Sequence, residues 1–459
     1  MPHPVRTEFR ALLALALPLA AAQAGTQLMG LVDVAVLGRL GATELGASAL
    51  GNSLFFALAI LGMGIVMGID PLIAQALGAR AEVQARRVLW QGIWLALAVG
   101  FGLMIPMAFS PRLLPLLGIA PSLVAPASTY VWIRMMSLPF FIMFIALRSY
   151  LQAYGVVRAM IVAMVVANVF NLAADIVLVF GGGVLPAWAG PLRRIPAYGI
   201  GGAAFASVIA SIVQVAIVAV AIRGIRLGPE VPPDLRAIDG RLFRRGLRVG
   251  IPVGLQMGAE VGVFALVGLI AGKFGEAALG AHQVALTLAS FTFTAAVGVG
   301  AAGSVRVGRA IGARDERGTR LAGLVAFAAG TGLMTAAALS FLLFPRALAL
   351  LLTNQEEVLR IAVPLLAVAA VFQISDGIQG VGAGVLRGAG DTRFAFVANL
   401  IGHWLVGLPI ALLLAFRFAW GIVGLWWGLC AGLTAVAVLL LLRFRKLSST
   451  VIAPIEEIG

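Results

Sequence analysis

Leu37-Gly-Arg-Leu-Gly-Ala-Thr-Glu-Leu-Gly-Ala-Ser48 returns as Ala271-Gly-Lys-Phe-Gly-Glu-Ala-Ala-Leu-Gly-Ala-His282, 234 positions later. The same offset pairs Pro18 with Pro252, Phe9-Arg10 with Phe243-Arg244, and Gly78-Ala79-Arg80 with Gly312-Ala313-Arg314. Farther on, Gly155-Val-Val-Arg158 matches Gly390-Asp-Thr-Arg393, and Gly199-Ile200 matches Gly421-Ile422. The chain is one unit written twice. In a chain this apolar, such a duplication predicts two homologous helix bundles in a membrane, the build of a transporter. The offset shrinks toward the end, so the first copy carries extra residues in the loop 181–198, read as a lid or rim on the outer face.

Hydrophobic residues make up 61% of the 459 and charged residues only 11%, with a mean hydropathy of +1.05. A soluble chain of this length needs far more charge on its surface, so lipid is the solvent here. A spanning helix needs roughly 20 mostly apolar residues. Twelve stretches qualify: 12–36, 47–76, 88–109, 125–152, 158–182, 199–223, 244–272, 281–311, 321–344, 358–386, 394–416 and 421–443. They are continuous and rich in Ala, Leu and Gly rather than alternating, which argues for helices and against a β-barrel. Six spans per copy is an even number, so both copies enter the membrane in the same sense, as parallel repeats 1–233 and 234–459.

The net charge of +14 reports orientation rather than a polyanionic partner. With odd-numbered loops outside, 24 of the 33 basic residues fall on the opposite side, which places both termini and the linker 224–243 in the cytoplasm. Arg134, Arg193 and Arg194 are among those counted on the outer side. Nucleic acid binding is not expected from this distribution. The single cysteine, Cys430, rules out an intramolecular disulfide and a thiolate metal site. The amino terminus imitates a secretory signal, but its counterpart at 243–270 lies mid-chain, so 12–36 is read as a retained helix.

Ionisable groups inside lipid cost about 2.5–3.5 kcal/mol each at a helix centre, so each needs a reason. Asp33, Asp175, Glu260 and Asp376 lie deep in spans 1, 5, 7 and 10, while Asp70 lies nearer the cytoplasmic end of span 2. Asn168, Asn171 and Asp175 share one helical face. Asp33 and Asp175 together are expected to form a carboxylate pocket, and two close carboxylates in a low dielectric hold protons near neutral pH. The competing reading is that Asn171 and Asp175 only tie helices together. Glu260 has Gln256 one turn before it, and Asp376 is flanked by Gln373 and Gln379; such oxygens suit an alkali cation or a proton equally. The repeat does not pair these acids, since Asp33 matches Val267, so each copy acquired its own. His403 matches Asn168 and either joins a site or is a satisfied buried histidine. Pro18 and Pro252 each remove a backbone donor and are either gating hinges or static kinks.

Gly64-x-x-x-Gly68 and Gly380-x-x-x-Gly384 are close-approach spacings. Gly298-Val-Gly300-Ala-Ala-Gly303 matches a dinucleotide fingerprint but has no strand before it, so tight packing is the expected role. No phosphate loop is present, which argues against direct ATP drive.

Leu31-Val-Asp-Val-Ala-Val-Leu-Gly-Arg-Leu-Gly41, Pro71-Leu-Ile-Ala-Gln-Ala-Leu-Gly-Ala79, and Asp376-Gly-Ile-Gln-Gly-Val-Gly-Ala-Gly-Val-Leu-Arg-Gly388 with Asp391-Thr392 resemble the multidrug and toxic compound extrusion family. The resemblance covers nearly the whole chain. It implies two six-helix bundles around a central cleft, alternating access, and export of amphipathic, often cationic drugs against Na⁺ or H⁺. It also implies coupling roles for Asp33, Asn171 and Asp175, and for Glu260 and Asp376, the second pair being associated with sodium; Na⁺ is thus expected at Glu260 and Asp376 or at Asp33 and Asp175. Gln27, Met29, Asn168, Gln256, Met257, Gln373, Gln379 and His403 are the candidate cleft lining. The expectation is a monomeric inner-membrane antiporter without a prosthetic cofactor. The rival within the same architecture is a lipid-linked oligosaccharide flippase, which would want cations such as Arg134 and Arg148 in its cleft. An integral-membrane enzyme is disfavoured, because no DxxxD, HExxH or CxxC pattern occurs.

Overall fold

The computed structural model describes residues 4–227, 232–450 and 452–455. Twelve helices there are long and apolar enough to cross a bilayer: α1 (Pro4–Leu37), α2 (Ala42–Gly78), α3 (Glu82–Leu116), α4 (Pro121–Tyr154), α5 (Arg158–Phe180), α6 (Gly199–Arg223), α7 (Gly240–Phe274), α8 (Glu276–Gly312), α9 (Glu316–Leu343), α10 (Glu356–Gly388), α11 (Thr392–Arg417) and α12 (Gly421–Leu447). No strand occurs among the described residues. Each apolar stretch has become one helix, and the chain is an all-α, multi-pass membrane protein.

The duplication is visible in the backbone. Arg80 and Arg314, equivalent in the repeat, both have positive φ, 58° and 56°. Their turns close alike: Ala81 N–H donates to Ala76 O and Asp315 N–H to Ala310 O, each at 2.9 Å. Gly155 and Gly390 form the next matched pair, at 77° and 82°, and Gly199 and Gly421 a third, at 53° and 55°. Helix starts are also specified locally. The Asp239 carboxylate accepts from the backbone N–H groups of Arg241 and Leu242, and Asp315 from that of Gly318, so the free donors at the starts of α7 and α9 are partnered.

The chain packs into two compact units. The amino unit comprises Ala22–Ile69 and Glu82–Gly250; the carboxyl unit comprises Met1–Ala21, Asp70–Ala81 and Ile251–Gly459. In the amino unit α4 packs against α2, α3 and α6, and α5 lies along α6. Phe55, Val131 and Leu138 centre one of its apolar clusters. In the carboxyl unit α10 packs against α8, α9 and α12, around Phe341, Phe372 and Trp426. The α8–α10 contact depends on glycine: a Cβ on Gly384 would lie 2.2 Å from the Gly300 carbonyl oxygen. Gly298 and Gly300 sit within a continuous helix, and a Cβ on Gly298 would lie 2.8 Å from Ala16 O, so the fingerprint-like run serves packing.

Two helices depart from regular winding. α4 tightens to a 3₁₀ turn at Met135–Ser137, just before Leu138-Pro139, where proline removes a donor from the ladder. α11 widens to π-winding at Ile401–Gly407 and Leu413–Arg417, either side of Pro409. α1 and α7 continue through Pro18 and Pro252. The loop 181–198 is tied at its base by Gly182 N–H donating to Ile195 O (2.7 Å), with Trp188, Leu192, Arg193 and Arg194 exposed.

Candidate functional site

The amino unit gathers Asp33 from α1, Asn171 and Asp175 from α5, and Ser207 from α6. Asn171 and Asp175 are one turn apart, and the Asn171 amide donates to Asp175 Oδ2 at 2.9 Å. Ser207 Oγ donates to Asp33 Oδ2 at 3.3 Å. α1 and α5 also meet where the Asn168 amide donates to Gly25 O at 3.0 Å. The expected meeting of spans 1 and 5 is therefore present. All four side chains are buried, Asn171, Asp175 and Ser207 completely. Asp33 Oδ1, Asn171 Oδ1 and Asp175 Oδ1 are buried with no hydrogen-bond partner among the described residues. Buried oxygens without donors are of the kind that suits a hard cation or, on a carboxyl group, a proton.

The carboxyl unit holds a second cluster. Glu260 Oε2 accepts from Gln379 Nε2 (3.1 Å) and from Asn399 Nδ2 (3.2 Å). Asp376 is buried on α10, one turn from Gln379. The oxygens left over on Gln379 and Asn399 are buried and unpartnered among the described residues. His403, on the π-wound part of α11, is 1% exposed, and neither ring nitrogen has a hydrogen-bond partner there. Its ring meets the edge of Phe264, with 6.0 Å between centroids. Gln373 donates to Thr292 Oγ1 instead of to a carboxylate.

Pairing separates these four acids from three other partly buried ones. Asp70 is held by Arg387 at 3.4 Å, Asp391 by Arg443 at 2.6 Å, and Glu8 by Arg306. None of Asp33, Asp175, Glu260 and Asp376 forms an ion pair among the described residues. No group of three or more His, Cys, Asp or Glu side chains suited to a metal occurs there either, so any cation must use amide and hydroxyl oxygens alongside the carboxylates.

The remaining candidates divide between the units. In the amino unit Gln27 is exposed, Met29 is half-buried, and the Asn168 amide is spent on Gly25 O and Met164 O, both at 3.0 Å. In the carboxyl unit Gln256 is buried and Met257 half-buried. Two contributors, Asn399 and Ser207, were not singled out from sequence. Asn399 stands one turn before His403, a polar pair in an apolar run that carried the signal. Ser207 lies in a Gly/Ala-rich helix where a serine is unremarked.

A family model described as MatE matches residues 18–177 and 252–413, one block in each half. The probable multidrug resistance protein NorM of Mesorhizobium japonicum is 35% identical over 456 residues, covering 96% of this chain and 94% of its own length. The multidrug resistance protein NorM of Burkholderia vietnamiensis is 34% identical over 460 residues, with the same coverage. Among solved structures, the eukaryotic MATE transporter AtDTX14 superposes with a TM-score of 0.83 at 21% identity, over 97% of this chain and 98% of its own. A MOP superfamily transporter from Pyrococcus furiosus gives 0.85 at 20% identity, over 96% of both chains. At these identities the two structures establish the shared fold.

Proposed function

The chain belongs to the MatE family, and on that premise we propose that it is a secondary multidrug efflux antiporter. In this reading it sits in the bacterial inner membrane with both termini cytoplasmic. It exports amphipathic, cationic compounds in exchange for Na⁺ or H⁺, with no prosthetic cofactor and no enzymatic step. The duplicated halves, 1–233 and 234–459, are the lobes that alternate access, and Pro18 and Pro252 are their hinges.

One observation carries the proposal: among the described residues the four deep carboxylates lack cationic partners within bonding distance, while Asp70 and Asp391 have them. A buried carboxylate left ionised and unpaired is costly, so such groups favour binding a proton or a metal cation. A cation on the acids and a drug in the cleft then stabilise opposite-facing states, each by no more than its differential affinity for the two. An inward-moving monovalent cation contributes about 2.3 kcal/mol per 100 mV of membrane potential, plus its concentration gradient. A flippase would need cations to hold phosphate, and these clusters offer carboxylates and amides instead.

The test is ethidium efflux from proteoliposomes under separately imposed Na⁺ and H⁺ gradients. One of the two gradients should drive efflux against the ethidium gradient. Efflux indifferent to both would overturn the antiport reading.

A further inference from the structure

We propose that the tail following α12 is a latch: residues 452–455 dock against the ends of α2, α8 and α10 and hold shut the crossing of α2 with α8. The proposal rests on the alternating-access reading, and adds to it a part that must let go once per cycle. It also gives a role to two of the stretches that carry the family resemblance, Pro71–Ala79 and Asp376–Gly388. Their Gln75 and Gly388 have no place in the carboxylate clusters.

The docking site is built around Gln75, which is 3% exposed. Its Nε2 donates to Gly388 O at the end of α10 (3.1 Å), and its Oε1 accepts from the Ile455 backbone N–H (2.8 Å). The Ile455 side chain is 8% exposed and lies against the α10–α11 turn, where a Cβ on Gly390 would be 2.8 Å from its Cδ1. Before it, Ser448, Thr450 and Ile452 border a small recess with Ile311, Arg314 and Thr319 at the α8–α9 turn. The linker after α6 is held in the same manner. Gln91 on α3, 2% exposed, donates to Ala237 O (2.8 Å) and accepts from the Asp239 N–H (2.9 Å). Gln91 thereby aims the chain into α7, whereas Gln75 fastens the tail across three helices.

What the tail fastens is a meeting of the two sequence copies, all of it within the carboxyl unit. A Cβ on Gly78 would strike the backbone of Arg309, one on Gly312 that of Gln75, and one on Gly308 would lie 2.7 Å from the Ala74 Cβ. At the repeat offset of 234, Gly78 pairs with Gly312, Gln75 with Arg309 and Ala74 with Gly308. Contacts that are reciprocal in this way put the α2–α8 crossing on the axis that relates the copies. Opening toward this end requires the copies to part there. The tail is bonded to Gln75 of the first copy and packed on Gly390 of the second, so it bridges the crossing. Parting strips a buried amide of both its partners, and that loss opposes opening.

The experiment uses the full-length protein in nanodiscs, with Ile455→Cys labelled by a fluorescent maleimide. Ser449→Cys is the exposed reference, and the parent, whose Cys430 is buried, is the blank. Ile455→Cys should react at least about tenfold more slowly than Ser449→Cys, and Gln75→Leu should abolish that protection. The ratio should differ at least about threefold between saturating ethidium and saturating Na⁺ or lowered pH, which are read as stabilising opposite-facing states. In proteoliposomes, a latched crossing taxes drug entry. Gln75→Leu and a chain ending at Thr450 should each lower the ethidium concentration for half-maximal efflux about threefold, and together do no more than either alone. Protection that is identical with ethidium and with cation would overturn the latch, as would efflux unchanged by the shortened chain. Should Gln75→Leu not fold, the shortened chain decides, because it leaves α2 intact. Gradient-driven efflux with an unresponsive tail sinks the latch alone, whereas efflux indifferent to both gradients sinks the antiport reading.

Discussion

The two carboxylate clusters support their acids with different donors. In the amino unit Asp33 accepts from the Ser207 hydroxyl and Asp175 from the Asn171 amide, one donor each. In the carboxyl unit two amides, those of Gln379 and Asn399, both donate to Glu260 Oε2. Such donors can stabilise an ionised carboxylate without neutralising it, which leaves its charge available to a cation. On the proposed reading, Glu260 is the acid whose donors matter most.

The largest effects should come from the acids themselves. Asp33→Asn and Asp376→Asn should each reduce gradient-driven efflux at least about tenfold while leaving the protein folded, checked by transport assay and size-exclusion profile. Retained efflux in either would remove that cluster from the coupling path. Next come the donors. Asn399→Leu takes one of two donors from Glu260 and should cost about 1–3 kcal/mol in the interaction it supports, seen as a change of about tenfold in cation half-saturation. Ser207→Ala removes a longer contact, 3.3 Å to Asp33, and should shift it by no more than about threefold. Equal effects would mean that the two clusters are not differently supported.

Asp70 supplies the contrast between a paired and an unpaired acid. Asp70→Asn leaves Arg387 without its counter-charge at a site where both side chains are largely buried, 13% and 11% exposed. The melting temperature should fall, by an amount corresponding to about 3 kcal/mol, while the folded fraction still exports drug. Loss of coupling without loss of stability would place Asp70 with the transport acids. The smallest effect tests the repeat. Arg80→Gly and Arg314→Gly relieve the same positive-φ geometry and should each be neutral to about 1 kcal/mol stabilising, by matched amounts.

Much of the fold was legible because lipid leaves the chain few choices. Continuous apolar runs must become helices, and the twelve runs gave twelve helices. The amino cluster was legible because Asn171 and Asp175 are four residues apart on an otherwise apolar helix, and Asp33 needed a partner. What escaped depends on departures from ideal winding. Arg134 falls inside the expected span 125–152 yet was counted with the outer charges; it is buried in α4, directly before the 3₁₀ turn. His403 was matched to Asn168 by repeat position. The π-winding of α11 alters residue spacing there, and Asn168 spends its amide on backbone while neither His403 ring nitrogen has a hydrogen-bond partner among the described residues. Asn399 was missed because a repeat comparison pairs it with Met164, which carries no polar signal.

The most direct measurement of the central claim, that unpaired buried carboxylates hold the coupling cation, is cation release on drug binding. Purified protein loaded with ²²Na⁺, or held in weakly buffered K⁺ medium with a pH indicator, is mixed with ethidium. The parent protein should release Na⁺ or H⁺ as ethidium binds, and the protein carrying Asp33→Asn, Asp175→Asn, Glu260→Gln and Asp376→Asn should release none. Ethidium binding with no cation released by the parent, or with equal release by the substituted protein, would contradict it.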